Sequence, residues 1–394
     1  MKTRLLTTIL AFFSLMLSGF LLWHLNRADL HLKKTSFNQL PGWGTADTTK
    51  SMNAFNVTCK SFLKQEPNTP AGSPYITLTA KDWYPACRAA LLVDTTSAKQ
   101  TKAFFEHYFE PAEFFDHKPV QGLFTGYYLP LLHGSLTKTT QYNVPIYRTP
   151  DNLITVDLTL FDSVQTNRQL FGRLEGGRLV PFYTREEINQ GAISDSASII
   201  VWVDSHIDRL FMEIEGSGIV QLTDGSHMFL GYAGQNGAPY TAVGHALIQK
   251  GVMNRKNQSM QRIRGYLESH PEERDTIINQ NKSFVFFEIL PHKSAIGVKG
   301  IVLTPGYSLA IDRQWIPIGV PVWLNTTKPD DQKNAQKPFQ RLMIAQDTGG
   351  AIRGMVRGDI FWGKGNKAMT IAGKMNNAGY YWLLLPRGGD KHIF

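Results

Sequence analysis

Arg341-Leu-Met-Ile-Ala-Gln-Asp347-Thr-Gly-Gly350 is followed at once by Ala351-Ile-Arg-Gly-Met-Val-Arg-Gly-Asp359-Ile-Phe-Trp-Gly363. Each aspartate follows or ends an apolar run of strand length and has glycines close by. A third, Asp312, stands upstream in Tyr307-Ser-Leu-Ala-Ile-Asp312-Arg-Gln-Trp-Ile-Pro317-Ile-Gly319. Carboxylates at strand ends, beside glycines that let a ligand approach the backbone, form a candidate acid-catalyst set.

Outward from this stretch the chain is a series of short β-like runs. They fall at 124–130, 144–147, 199–203, 210–215, 218–222 and 228–232, then at 283–288, 300–303, 320–324, 341–345 and 380–385. Turn signals separate them: Glu175-Gly-Gly177, Thr223-Asp-Gly225 and Gln235-Asn-Gly237. Apolar residues at three- and four-residue spacing predict helices over 51–65, 97–109, 240–250 and 259–270, the last stopping before Pro271. Residues 28–50, polar and without a sustained period, read as a linker. Short strands with Gly/Pro turns predict a mainly β fold with some α, a barrel or sandwich and not a doubly wound sheet.

With 394 residues, 42 % hydrophobic and 19 % charged, the chain is long enough for two globular domains. Its net charge of +9 is thinly spread, which gives a mildly basic surface suited to an acidic polymer or an anionic membrane face. No nucleic-acid recognition motif is visible, so no nucleic-acid partner is expected. At the N-terminus, Lys2 and Arg4 precede the uncharged, mostly apolar stretch from Leu5 to Trp23. That length is close to a bilayer span, and the preceding positive charges place the bulk of the chain outside the cytoplasm. Residues 1–27 are therefore expected to be a membrane anchor, with a cleaved signal segment as the alternative. Cys59 and Cys87 fit an exported chain, either as one disulfide or as two buried thiols.

Familiar catalytic signatures are missing. There is no H-E-x-x-H, no G-x-S-x-G and no phosphate-binding G-x-x-x-x-G-K-[ST], and the histidines show no ligand spacing. No metal and no cofactor is expected, which leaves carboxylates. Asp347-Thr348-Gly349 matches the D-T-G of an aspartic protease, but a second copy is absent, so that reading requires a dimer. The other reading is glycosidic cleavage, in which a single acid suffices if the sugar supplies its own nucleophile. Tyr127, Tyr128, Trp362, Gln235 and Asn236 have the chemistry to hold a saccharide, and core packing is the alternative for each aromatic. Gly216-Ser217-Gly218 is either a tight hairpin turn or a close backbone approach to ligand.

Eight ordered motifs resemble the membrane-bound lytic murein transglycosylase A family of peptidoglycan lyases. They are Phe124-Thr-Gly-Tyr-Tyr-Leu-Pro130, Ile207-Asp-Arg-Leu-Phe-Met-Glu-Ile-Glu-Gly-Ser-Gly218, Gly231-Tyr-Ala-Gly-Gln-Asn-Gly-Ala-Pro-Tyr240, Ser259-Met-Gln-Arg-Ile-Arg264 and Asn281-Lys-Ser-Phe-Val-Phe-Phe287, and then the segments holding Asp312, Asp347 and Asp359. The resemblance implies cleavage of the β-1,4 bond between N-acetylmuramic acid and N-acetylglucosamine in peptidoglycan strands, leaving a 1,6-anhydromuramyl end. It implies Asp359 as general acid and base, with Asp347 and Asp312 as supporting carboxylates. It also implies a double-psi β-barrel catalytic domain formed by 51–128 plus 281–394. An inserted β-barrel-like domain at 129–280 would flank a glycan groove between the two. Family members often carry a lipid-attachment cysteine. Leu15-Met-Leu-Ser-Gly-Phe20 resembles the approach to one, yet no cysteine precedes Cys59. A monomer held by its own N-terminal segment at the periplasmic face of the inner membrane is the resulting expectation, with a non-catalytic peptidoglycan-binding protein as a further alternative.

Overall fold

The computed structural model describes residues 30–161, 169–254, 259–291, 294–330 and 335–388. The apolar N-terminal segment lies outside the described residues, and no helix among them is long and apolar enough to cross a membrane. The strands in chain order are β1 (His31–Lys34), β2 (Phe109–Asp116), β3 (Lys118–Pro119), β4 (Gly122–Leu129), β5 (Leu131–Ser135), β6 (Val144–Tyr147), β7 (Ile154–Asp157), β8 (Gln169–Glu175), β9 (Arg178–Pro181), β10 (Ile199–Val203), β11 (Ser217–Leu222), β12 (His227–Gln235), β13 (Val285–Ile289), β14 (Ser308–Ile311), β15 (Pro321–Pro329), β16 (Gln336–Asp347), β17 (Arg357–Lys364) and β18 (Asn376–Pro386). The helices are α1 (Thr49–Phe62), α2 (Ala80–Ala90), α3 (Ala98–Tyr108), α4 (Arg185–Asn189), α5 (His206–Glu215), α6 (Val243–Gln249), α7 (Met260–Ser269), α8 (Pro271–Asn279) and α9 (Asn366–Ala372).

Six strands close into a ring. β18 pairs with β15, then β16, β14, β17 and β4 follow, and β4 pairs back onto β18. The β14–β16 and β17–β4 pairs are parallel and the rest antiparallel. Closure requires backbones to pass closely: a Cβ on Gly122 would lie 1.8 Å from the Val356 carbonyl oxygen. β2 extends the ring from β18 and carries β1 and β3. Residues Pro321 to Leu324 are buried without alternation because both faces of β15 are covered.

Helix α1 lies on the outside of this ring. Ser51 Oγ donates to the Leu342 carbonyl at 2.7 Å, and Gln346 Nε2 donates to Ala54 O and Thr58 Oγ1, both at 2.8 Å. Gln346 is fully buried, so these bonds fix the end of β16 immediately before Asp347. A Cys59–Cys87 disulfide ties α1 to α2.

A second sheet runs in the order β13-β12-β11-β5-β10-β6. Tyr147 of β6 and Phe286 of β13 share one apolar cluster with Phe182 and Phe284, so its two edges curl toward each other. β7, β8 and β9 form a separate small sheet.

Four expectations are corrected. Residues 210–215 form the end of α5, not a strand: Ser205 Oγ accepts the Asp208 N–H at 3.1 Å, and Gly216, left-handed at φ 74°, ends the helix. A continuous apolar run does not reveal its period, so the caps decide it. Residues 300–303 make only an isolated bridge, because Lys299 and Gly300 turn the chain at positive φ. Residues 28–50 are not a free linker. β1 pairs with β2, and Trp43 is buried with its ring edge-on to Trp323 at 5.0 Å, a contact worth about 1 kcal/mol beyond its area. Finally, β13 hydrogen-bonds to β12 and so sits in the smaller sheet, although the sequence division places it with the catalytic part. Helix α2 escaped notice because Pro85 lies inside it, and α8 because Pro271 starts it.

Candidate active site

The three aspartates all lie at one end of the ring but occupy different settings. β17 runs between β14 and β4, which sets Asp359 opposite Ala310 and Thr125. Thr125 Oγ1 donates to Asp359 Oδ1 at 2.6 Å, and Arg357 Nη2 donates to Thr125 Oγ1 at 2.8 Å. Arg357 is two residues before Asp359, on the same face of the strand. A guanidinium, a hydroxyl and a carboxyl thus form one relay. Burial pushes the Asp359 carboxyl above its ordinary range, while the Thr125 bond and the Arg357 charge pull the other way.

Asp347 ends β16. Its Oδ2 accepts the Tyr127 hydroxyl at 2.7 Å and its Oδ1 accepts the Thr348 N–H at 2.9 Å. Burial pushes this carboxyl up to about 6 against those two bonds, and the Asp359 charge adds to the rise. Tyr127 is two residues beyond Thr125 on the same face of β4, and its ring packs on Phe361 with centroids 5.2 Å apart. Burial pushes its hydroxyl far above the usual range, followed by the charges of Asp347, Asp359 and Glu215. The hydroxyl therefore stays protonated and remains a donor.

Asp312 stands just past β14 and serves the backbone. Its Oδ2 accepts the Gly354 N–H at 2.8 Å and its Oδ1 the Gln314 N–H at 3.1 Å, with Arg353 Nη1 at 3.9 Å. It pins the loop between β16 and β17 and so sets where β17 begins.

Facing this end of the ring is the smaller sheet. Tyr127, Leu129, Ala310 and Phe361 share an apolar cluster with Ile219 and Phe229 from β11 and β12. A cavity of about 750 Å³ opens along that seam, lined by Leu129, Leu131, Ile219, Phe229, His227 and Lys364 among others.

Of the expected saccharide contacts, Tyr127 lies in the seam cluster, Gly216 and Ser217 stand at the junction of α5 and β11, and three others are engaged elsewhere. Tyr128 is buried against Ala368 and Ala372 of α9. Trp362 packs in that same cluster and on Phe339, with ring centroids 5.4 Å apart. A Cβ on Gly126 would lie 2.5 Å from Trp362 Nε1, so this glycine makes room for the indole. Asn236 is 2 % exposed and its amide is fully used: Nδ2 donates to Tyr183 O and Lys282 O, and Oδ1 accepts from Phe284 N and Ala238 N. It ties loops together through these four bonds. Gln235 stands opposite Val285, four residues along β12 from Gly231, the partner of Ser217.

Sequence reasoning missed Thr125, Arg357 and Glu215. The spacing of two along β17 makes Arg357 legible beside Asp359. Thr125 becomes significant only through the β4–β17 pairing. Glu215, 9 % exposed, accepts the Tyr128 N–H at 2.9 Å. The continuous apolar run before it hides its place at a helix end.

Comparisons with known proteins agree with this layout. The model of the MltA specific insert domain matches residues 123–288, and that of the 3D domain matches 307–385. The membrane-bound lytic murein transglycosylase A of Escherichia coli K12 is 34 % identical over 274 residues, 69 % of this chain and 67 % of its own length. The crystal structure of a membrane-bound lytic murein transglycosylase from Agrobacterium tumefaciens superposes with a TM-score of 0.79 at 30 % identity, covering 91 % of this chain and 98 % of its own. MltA from Neisseria gonorrhoeae in its monoclinic form gives 0.77 at 32 %, covering 93 % and 95 %. Fold and relatives together define a peptidoglycan lytic transglycosylase. More narrowly, the chain belongs to the membrane-bound lytic murein transglycosylase A family.

Proposed function

We propose that the chain cleaves the β-1,4 bond between N-acetylmuramic acid and N-acetylglucosamine, with Asp359 as the only proton carrier. The protonated carboxyl gives its proton to the glycosidic oxygen as the C1–O bond breaks. The muramyl C6 hydroxyl then attacks C1 and returns its proton to Asp359, which leaves a 1,6-anhydro end and restores the acid. No water enters, and intramolecular attack removes several kcal/mol of the barrier, on the order of what proximity supplies elsewhere. The observation that carries this reading is the Arg357–Thr125–Asp359 relay, which holds an acid of raised pKa at the seam and stabilises the carboxylate once the proton leaves.

Asp347 and Tyr127 support that acid from β16 and β4, and Asp312 supports it by holding the loop before β17. The glycan strand runs along the seam between ring and smaller sheet, past Gly216 and Ser217. A relative, the Escherichia coli MltA, has been solved with bound chitohexaose at 27 % identity and a TM-score of 0.63. The six-strand ring with two parallel pairs fits a double-psi barrel, and the unit from β5 to β13 fits the inserted domain. Relatives are named membrane-bound, which supports an anchor in residues 1–27; action as a monomer at the periplasmic face belongs to the same reading.

The test is Asp359→Asn on purified sacculi. Release of soluble muropeptides should fall at least about a hundredfold while the melting curve persists. Mass spectrometry of the wild-type products should find anhydro ends, one water lighter than hydrolysis products. Undiminished release by the variant, or products with reducing ends, would sink the mechanism.

A further inference from the structure

Two residues apart on α5, Glu213 and Glu215 have opposite surroundings. Glu213 pairs with Arg185 and Arg209. Among the described residues Glu215 has one hydrogen-bond partner: its Oε2 accepts the Tyr128 N–H. No donor meets Oε1 among the described residues. The bond clamps the end of α5 to β4, the strand that holds Asp359 through Thr125 and Asp347 through Tyr127.

A negative charge is poorly placed here. The C-terminus of a helix carries partial negative charge from its unpaired carbonyls. The groups that interact with Glu215 are Asp359 of β17, the Tyr127 hydroxyl and the Tyr128 N–H and hydroxyl of β4, and Tyr240 beyond β12. None is a cation. The neighbouring cations are committed, Arg185 and Arg209 to Glu213 and Arg264 to Asp208. Burial pushes the Glu215 carboxyl well above its ordinary range, and the Asp359 charge adds to that. A neutral carboxyl has one hydroxyl. With Oε2 accepting from Tyr128, the hydroxyl falls on Oε1. A neutral group also leaves the carboxylate that forms on Asp359 unopposed, whereas a second anion would repel it.

We propose that Glu215 is a neutral carboxylic acid that donates a hydrogen bond from Oε1 to an oxygen of the sugar bound beside Asp359, and so fixes that sugar against the proton donor. The proposal rests on the transglycosylase reading for the position of the sugar. It gives the inserted unit a direct part in the chemistry of the ring.

The experiment compares Glu215→Met, which keeps length but cannot donate, with Glu215→Gln, which restores a neutral donor. Each is made in the full chain. Binding of chitohexaose is measured by calorimetry in an Asp359→Asn background, and muropeptide release from sacculi is measured in the active background. Glu215→Met should weaken chitohexaose binding about tenfold, the loss expected for one buried hydrogen bond. Glu215→Gln should recover it to within about threefold of the parent and should keep the alkaline limb of the release–pH profile in place.

Three results would overturn the proposal: Met binding as tightly as Glu, Gln as inactive as Asp359→Asn, or Gln moving the alkaline limb to lower pH. The last would show a charge at Glu215 that had been raising the pKa of Asp359. If circular dichroism shows that the Met variant does not fold, the Gln variant decides alone. Failure of the transglycosylase reading is separate, because it appears as products without anhydro ends while the binding comparison stands.

Discussion

Replacing Thr125 by Val removes a single hydroxyl and keeps the shape, so it isolates the bond on which Asp359 depends. The hydrogen bond is 2.6 Å long and goes to a carboxyl buried enough to have a raised pKa. Bonds of this charged kind contribute about 1.5–3 kcal/mol. Because the bond favours the ionised form, its loss raises the pKa of Asp359. Arg357 keeps its bonds to Leu123 O and Gly358 O, so it stays in place but loses its path to the carboxyl. A general acid must be protonated to act, so the alkaline limb of kcat/KM should move to higher pH. Below that limb the rate should fall about ten- to a hundredfold, because the carboxylate formed during proton transfer has lost its donor. The assay is anhydromuropeptide release from sacculi across pH 4–9, with Thr125→Ser as the variant that restores the hydroxyl. A limb that stays put, or moves to lower pH, would refute either the bond or the role of Asp359.

Two further outcomes test the setting of the site. Asp347 has a folded pKa of about 6 against an ordinary value of 3.8, so the folded chain holds the extra proton between those values. Stability therefore falls as pH rises through that window, by up to about 3 kcal/mol, and the loss is complete above pH 6. Asp347→Asn should raise the melting temperature at pH 8 but not at pH 3.5, while lowering activity; an equal effect at both pH values would contradict the assignment. The Cys59–Cys87 bridge closes a loop with a sequence separation of 28 and sits under the helix that anchors Gln346. Its reduction should cost about 3–4 kcal/mol in thermal unfolding, and Cys59→Ala with Cys87→Ala should match that value.

The parts of the fold legible in the sequence are those whose signals are local. Residues 341–345 and 380–385 were readable as strands because apolar β-formers run between turn residues. Helices at 51–65 and 97–109 were readable from their spacing, and α1 and α3 lie there. Elements with contradictory local signals were misread. In α5 an unbroken Leu-Phe-Met run masks the period, and in α2 a proline lies inside the helix. The segment 28–50 has no period because it is held by individual contacts, such as Trp43 on Trp323, and not by a repeating face.

The site divides in the same way. By itself the sequence carries the three candidate aspartates and the family motifs around them, and the class of chemistry follows from that resemblance, because such motifs are written consecutively along the chain. It could not assign the partners of Thr125, Glu215, Asn236 or Trp362. Those assignments depend on what lies opposite across pairings between distant segments: Thr125 on Asp359, Tyr127 on Asp347, Tyr128 N–H on Glu215. A carboxyl's proton affinity is set by burial and by the donors and charges around it, and both are properties of the closed ring and its facing sheet. The tertiary structure alone decided which carboxyls burial pushes toward the protonated form and which neighbours act on them.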